Sequence, residues 1–151
     1  MTSFGAKSVK REEILKLIPN ELVGLSGNNS NQIQSKLKSK ITSSNKNSIF
    51  LSYQSRNDVT VGLKNNKFEY LLVNSSQEMR DKSKDLFARI YSELSPPEKQ
   101  KISDQLNSLN HNAGRLISVD LPELGIKLEF VNNEEKTLSS IVMWPEAGKR
   151  P

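Results

Sequence analysis

Cysteine is absent from the 151-residue sequence, which excludes disulfide bonds, thiol nucleophiles and cysteine-ligated zinc. Long apolar runs are missing too, since runs such as LLV at residues 71–73 are far too short to cross a bilayer. The N-terminus has basic residues but no apolar segment after them, so we expect no secretory signal. These absences favour an intracellular protein, in the cytoplasm, the nucleus or an organelle, that does not bind a membrane.

Motifs of common enzymes are also missing. The sequence contains no GxxxxGK[ST], GxSxG or HExxH pattern. His111 is the sole histidine, and a general base needs a partner and a pocket. Asp81 and Asp85 are four residues apart, but basic residues surround them, which favours ordinary pairing on a helix surface. We therefore expect a non-catalytic protein without a cofactor or a bound metal.

Acidic residues are lacking in one long segment. None occurs between Glu21 and Asp58. Residues 1–47 contain eight basic and three acidic residues, so they carry the whole net charge of +5, and residues 48–151 are neutral. Such local asymmetry creates a local electrostatic field. The segment is either a solvated basic face or a surface that holds an anionic partner.

The first elements are short. Residues 11–18 fit a short helix or a buried strand, and periodicity alone cannot decide between them. Pro19 biases the residue before it toward an extended conformation. Residues 20–24, NELVG, fit one helical turn that ends at a glycine.

A helix with an apolar face is predicted over residues 31–41, and a loop over residues 42–48. Residues four positions apart lie on the same face of a helix. The apolar face carries Ile33, Leu37 and Ile41, and a neighbouring face carries Lys36 and Lys40.

The rest of the chain mixes strand and helix patterns, which predicts the α+β class. Alternating apolar residues indicate strands, and serine followed three residues later by glutamate indicates the start of a helix. Asn65 and Asn66 tolerate the geometry of a tight turn. The predicted strands cover residues 48–53, 58–63 and 67–74 and three runs between residues 115 and 144, and the predicted helices cover residues 75–94 and a segment that begins at Ser95.

Residues 14–41, ILKLIPNELVGLSGNNSNQIQSKLKSKI, precede a predicted strand. This order resembles the first half of a KH (K homology) domain, a fold that binds single-stranded RNA or DNA. In that family a strand leads into a short helix, a GXXG loop and a second helix with an apolar residue three positions after the loop. The strand would be residues 14–18, and the loop would be Gly27-Asn28-Asn29-Ser30.

The resemblance covers residues 11–94 and implies a β-α-α-β-β-α fold, with a sheet covered by helices on one face. It favours a strand at residues 14–18 and places residues 58–63 in or beside a variable loop. Residues 95–145 would add a helix and a β-hairpin or meander packed on this domain. Residues 1–10 and 146–151 are expected to be flexible ends.

The resemblance also implies a binding site for single-stranded nucleic acid, RNA above all. Backbone N–H groups of a GXXG loop approach phosphates closely, and the family clamps about four nucleotides there. This chain departs from the family because its fourth loop position is serine and the loop has no basic residue. The implied site residues are Gly27, Asn28, Asn29 and Ser30 in the loop, Ile33 in an apolar groove, Lys36 and Lys40 beside it, and Arg56 in the variable loop.

A second hypothesis is a protein-interaction or adaptor subunit that uses the same fold as a scaffold. Its basis is the strand-rich segment of residues 115–144, which exceeds what a minimal KH fold needs. The apolar run IVMW, residues 141–144, is expected near a sheet edge, where it would contact a partner. The two functions are compatible, because they use different halves of the chain.

Overall fold

The computed structural model describes residues 9–53, 58–108 and 115–145, apart from the side chains of residues 78 and 108. This part of the chain has six α-helices and seven β-strands, which confirms the α+β class. The helices are α1 (Arg11–Leu15), α2 (Asn20–Val23), α3 (Ser30–Lys36), α4 (Gln77–Asp81), α5 (Ser83–Glu93) and α6 (Pro96–Ser108). The strands are β1 (Ile41–Ser44), β2 (Ser48–Ser52), β3 (Asp58–Lys64), β4 (Lys67–Asn74), β5 (Leu116–Leu121), β6 (Ile126–Val131) and β7 (Leu138–Met143).

All seven strands form one antiparallel sheet in the order β1-β2-β3-β4-β7-β6-β5. The first four strands are one meander and the last three are another, and β4 joins β7 to connect them. Helices precede each meander in the chain. The C-terminal strands therefore continue the sheet of the N-terminal half instead of forming a separate layer.

One face of the sheet is buried against the helices. Alternate residues of the inner strands are buried, as in the pattern BiBiBi of β6, because successive side chains of a strand point to opposite faces. Phe130 of β6 is fully buried and meets the ring of Phe87 edge to face at 5.1 Å. Ile14, Ile33 and Ile90 supply buried side chains from α1, α3 and α5.

The β3–β4 turn and the contact of Ser95 with Glu98 before α6 follow the predicted chemistry, whereas Ser76, and not a serine three residues before a glutamate, caps α4. Asn65 and Asn66 both have positive φ, 52° and 67°, as a two-residue hairpin between β3 and β4 requires. Ser95 and Glu98 form the predicted capping contact, in which the Ser95 hydroxyl donates to the Glu98 carboxylate at 2.7 Å. This hydrogen bond lowers the pKa of Glu98.

The strand predicted at residues 14–18 is wrong, because α1 covers Arg11–Leu15. Ile14, Leu17 and Ile18 have the i, i+3, i+4 spacing of one helix face, and all three are buried. Acidic residues in the first turn of α1 also suit a helix N-terminus.

Four further predictions of bounds or position differ from the structure. The helix predicted over residues 31–41 ends at Lys36, and the loop predicted at residues 42–48 contains most of β1. Residues 58–63, placed in or beside a variable loop, lie in β3, an inner strand. The helix predicted over residues 75–94 is divided into α4 and α5. The seven-stranded sheet is thus larger than that of a β-α-α-β-β-α fold.

Residues 141–144 do not lie at a sheet edge. Ile141 and Met143 belong to β7, which pairs with β4 on one side and β6 on the other, and both side chains are buried. The edge strand of the C-terminal half is β5. At its centre, the backbone of Ser118 exchanges hydrogen bonds of 3.3 and 3.5 Å with the amide of Gln105 in α6. The Gln105 amide thus occupies backbone groups of β5 that would otherwise be open to pairing with a strand of another chain.

Ser83 connects the helices to β7 at the junction of α4 and α5. It is fully buried, donates to the Met79 carbonyl at 3.1 Å and accepts from the Leu138 N–H at 2.6 Å. Ser83→Ala should lower the free energy of unfolding by about 1–3 kcal/mol, because a buried N–H loses its acceptor. Urea denaturation checks this, with the exposed Ser92 of α5 as control. Ser92→Ala should change the stability by less than about 0.5 kcal/mol, and equal effects of both changes would contradict the assignment.

Candidate nucleic-acid interface

The turn predicted to bind phosphates connects α2 to α3. Gly27 has φ of +83°, a left-handed conformation that glycine adopts without strain. Asn29 is the N-cap of α3 and forms a capping box with Gln32, in which each side chain bonds the other residue's backbone N–H. The sequence thus encodes a fixed turn at this place.

Three backbone donors of this turn are used inside the protein. The N–H of Asn28 donates to Leu25 at 3.1 Å, that of Asn29 to the Gln32 side chain at 2.8 Å, and that of Ser30 to the Asn66 carbonyl at 2.9 Å. The Asn28 side chain also turns back and donates to the Leu25 carbonyl at 3.1 Å. These three N–H groups are therefore not free to bind a phosphate.

The predicted groove residues Ile33 and Lys36 differ in exposure. Ile33 is fully buried in the core, so its predicted place in an accessible groove is wrong. Lys36 is exposed at the end of α3. Arg56 and His111 lie outside the described residues.

Lys40 has a local partner. Its ammonium lies over the ring of Tyr53 at 4.9 Å from the centroid, and the Tyr53 hydroxyl donates to Glu21 at 2.5 Å. Burial, and then the hydrogen bond to Glu21, raises the pKa of Tyr53 above its ordinary value. At neutral pH Tyr53 is therefore protonated and holds the 3₁₀ turn that precedes β1 against α2.

A polar cleft lies where three turns meet. The turns are those between α2 and α3, between β1 and β2, and between β3 and β4. Backbone hydrogen bonds connect each of the first two turns to the β3–β4 hairpin. The Phe68 N–H donates to the Asn28 carbonyl at 2.9 Å, and the Leu63 N–H donates to the Asn47 carbonyl at 2.8 Å. The cleft has a volume of about 560 Å³. This three-turn cleft is lined by Ser30, Asn45, Lys46, Asn47, Leu63, Lys64, Asn65, Asn66 and Glu69.

The three-turn cleft is rich in amide and ammonium groups. Four asparagines, two lysines and a serine line it, together with Glu69, whose carboxylate is 4.0 Å from the ammonium of Lys64. An exposed ion pair at this distance contributes little. Amides and ammonium groups donate hydrogen bonds to phosphate oxygens, so the lining suits an anionic ligand.

The sequence prediction included only one residue of this cleft, Ser30. The predicted loop over residues 42–48 covers Asn45, Lys46 and Asn47, and the sequence predicts only a tight turn at Asn65 and Asn66. Lys46 does belong to the segment without acids, and that charge pattern is the signal that pointed to this surface.

The left-handed residues of the β3–β4 turn shape the three-turn cleft. Asn66→Ala should lower the free energy of unfolding by about 1 kcal/mol, because alanine at a φ of +67° keeps the Cβ atom but lacks the short polar side chain that lets asparagine adopt a left-handed conformation. Asn66→Gly removes the Cβ atom that disfavours this conformation and should leave the stability within about 0.5 kcal/mol of the original. Urea denaturation of both variants checks the prediction, and a destabilising glycine with a neutral alanine would contradict it.

A second cleft, of about 600 Å³, lies between α6 and the C-terminal strands beside the contact of Gln105 with Ser118. Its apolar wall contains Ile102, Val119 and the sole tryptophan, Trp144. Charged residues of both signs stand around it. The α6–β5 cleft is lined by Leu94, Glu98, Lys101, Ile102, Gln105, Ser118, Val119, Asp120, Pro122, Lys127 and Trp144.

The described segments contain neither a metal-binding cluster nor a membrane-spanning helix. Within residues 9–53, 58–108 and 115–145, no group of three or more histidine or carboxylate side chains is arranged to hold a metal ion. None of the helices in these segments has the length and apolar character needed to span a bilayer.

Comparisons with known proteins give one structural likeness. No protein-family model matches the chain, and no curated protein matches it. Among solved structures, the chain is similar to a DUF4309 family protein (YjgB) from Bacillus subtilis, with 9% sequence identity and a TM-score of 0.44. The alignment covers 89% of this chain and 91% of that one. A likeness of this degree does not carry a function from one chain to the other.

Proposed function

We propose that the protein is a non-catalytic module that binds single-stranded nucleic acid, RNA above all, through phosphates held in the three-turn cleft. The observation that carries the proposal is the meeting of amide and lysine side chains from three hydrogen-bonded turns. Two of these turns come from the segment without acids. The resemblance of residues 11–94 to a KH domain supports a single strand, RNA above all, as the ligand.

The mode of binding differs from that of a GXXG loop. Since the N–H groups of residues 28–30 are engaged, we assign the phosphate contacts to side chains. Lys46 and Lys64 supply positive charge, and the asparagine amides supply directed donors. The two lysines belong to different hairpins, and the hydrogen bond from Leu63 to Asn47 ties these hairpins together. The cleft is therefore preorganised, which lowers the entropic cost of binding.

A salt titration tests the proposal. Fluorescence anisotropy with a short labelled single-stranded RNA should give binding at low salt that weakens as salt increases. A plot of the logarithm of the association constant against the logarithm of salt concentration should have a slope of about −1 to −3, as expected for a few phosphate contacts. No binding at low salt would refute the proposal. An affinity that does not depend on salt would exclude phosphate contacts as its source.

A protein-binding function for residues 115–144 is a second candidate. The observation that favours it is the α6–β5 cleft, whose lining includes Ser118, Val119, Pro122 and Trp144 from that segment. An apolar wall with charged groups around it suits an anchor residue of a protein partner. Because Trp144 is the sole tryptophan, a partner bound there should change the tryptophan emission. Single-stranded RNA bound in the three-turn cleft should leave the tryptophan emission unchanged.

A further inference from the structure

The face of the sheet opposite the helix-covered face carries aromatic side chains of intermediate exposure. Phe50 of β2 and Tyr70 of β4 belong to this outer face. The pairing register places its side chains in two neighbouring rows across β2, β3 and β4. The first row is Ser48, Gly62 and Tyr70, and the second row is Phe50, Thr60 and Leu72.

The first row adjoins the three-turn cleft. Ser48 follows Asn47, Gly62 precedes Leu63, and Tyr70 follows Glu69, and each of these three neighbours lines the cleft. The second row lies two residues further along each strand, about 7 Å from the first. A strand of nucleic acid that leaves the cleft toward this face meets Tyr70 first and Phe50 next.

Tyr70 is held in an orientation that suits stacking. A Cβ atom built on Gly62 would be 2.0 Å from Cε1 of Tyr70 and 2.4 Å from both neighbouring ring atoms. These distances place the face of the ring, and not its edge, over Gly62. One ring face thus packs on the glycine, and the opposite face points away from the sheet.

We infer that bases of the nucleic acid held in the three-turn cleft stack on Tyr70 and Phe50; this inference rests on the proposed function. Every base has a π-face, so aromatic side chains bind single strands with little sequence preference. The charges agree with a path that starts at the cleft, since Lys46 and Lys64 stand at this end of the strands. Asp58, the acidic residue of β3, stands at the opposite end.

The test compares two single-stranded RNAs of equal length, an oligouridine and its abasic counterpart, which carry the same number of phosphates. The original protein should bind the strand with bases at least about tenfold more tightly than the abasic strand. Tyr70→Leu and Phe50→Leu should each weaken binding of the oligouridine about five- to tenfold and leave binding of the abasic strand unchanged. Tyr91→Leu is the matched control, because Tyr91 is a half-buried aromatic residue of α5. It should not affect either strand.

The outcomes separate this inference from the proposed function. Equal binding of both strands would overturn stacking and leave the phosphate site intact. Failure of both strands to bind at low salt would overturn the proposed function and the stacking together. If Tyr70→Leu disturbs folding, as judged by circular dichroism, Phe50→Leu and the abasic strand still decide the question.

Discussion

Reversing two charges in the three-turn cleft is expected to weaken binding of single-stranded RNA about 10- to 100-fold. The variant is Lys46→Glu with Lys64→Glu, one change in each of two neighbouring turns. Phosphate contacts dominate the affinity of such proteins, and like charges facing each other are strongly unfavourable. Fluorescence anisotropy at constant low salt measures the effect.

The control carries the same change in net charge at a different place. Lys84→Glu with Lys101→Glu alters two exposed lysines of α5 and α6 and should weaken binding less than about threefold. Equal losses in the two double variants would show that only the net charge matters. That result would contradict a site at the three turns.

Removal of the Arg11 guanidinium should lower the free energy of unfolding by about 2–3 kcal/mol. Arg11 donates to the carbonyls of Leu124 at 2.6 Å and Trp144 at 2.7 Å, with longer contacts to the carbonyls of Gly125 and Pro145. It thereby ties α1 to the β5–β6 connection and to the end of β7. Burial lowers the pKa of Arg11, yet arginine stays charged, and hydrogen bonds from a charged donor are the stronger ones.

Arg11→Met keeps most of the apolar stem and removes the donors, so it isolates the hydrogen bonds. Urea denaturation should show the loss, and amide hydrogen exchange should become faster in α1 before the sheet is affected. Lys10→Ala, at the exposed preceding residue, should be nearly neutral. Full stability of Arg11→Met, with unchanged exchange in α1, would contradict this role.

Local patterns predicted most of the strands and helices but not their assembly. The alternation in residues 58–63 and 67–74 and the three C-terminal runs all became strands. β1 escaped prediction because it is an edge strand of mostly exposed, polar residues, which the backbone of β2 holds in place. Such a strand lacks the apolar alternation that makes strands recognisable.

The wrong prediction of a strand at residues 14–18, where α1 ends, had a different origin. The spacing of Ile14, Leu17 and Ile18 fits a helix face, but the KH resemblance favoured a strand, and Pro19 supported that choice. The pairing of β4 with β7 is a contact between distant parts of the chain, which a periodic pattern does not encode. Because of this pairing, the strands of the predicted C-terminal extension belong to the same sheet as the strands of the N-terminal half.

The sequence predicted the positive charge of the site but not the residues that form it. The absence of acids between Glu21 and Asp58 indicated a basic surface, and Lys46 lies in that segment. Lys64, Asn65 and Asn66 come from a turn outside it, and only the tertiary structure brings them beside Lys46. The hydrogen-bonded state of residues 28–30 could not be foreseen either, because their partners include Asn66 and Phe68, more than thirty positions away.

The most direct test of the account locates bound RNA on the protein. In a titration of ¹⁵N-labelled protein with a short single-stranded RNA at low salt, two-dimensional NMR should show the largest shifts at residues 45–47 and 64–66. The side-chain amide signals of the asparagines should move with them. Shifts confined to the α6–β5 cleft, or no shifts at low salt, would contradict the account.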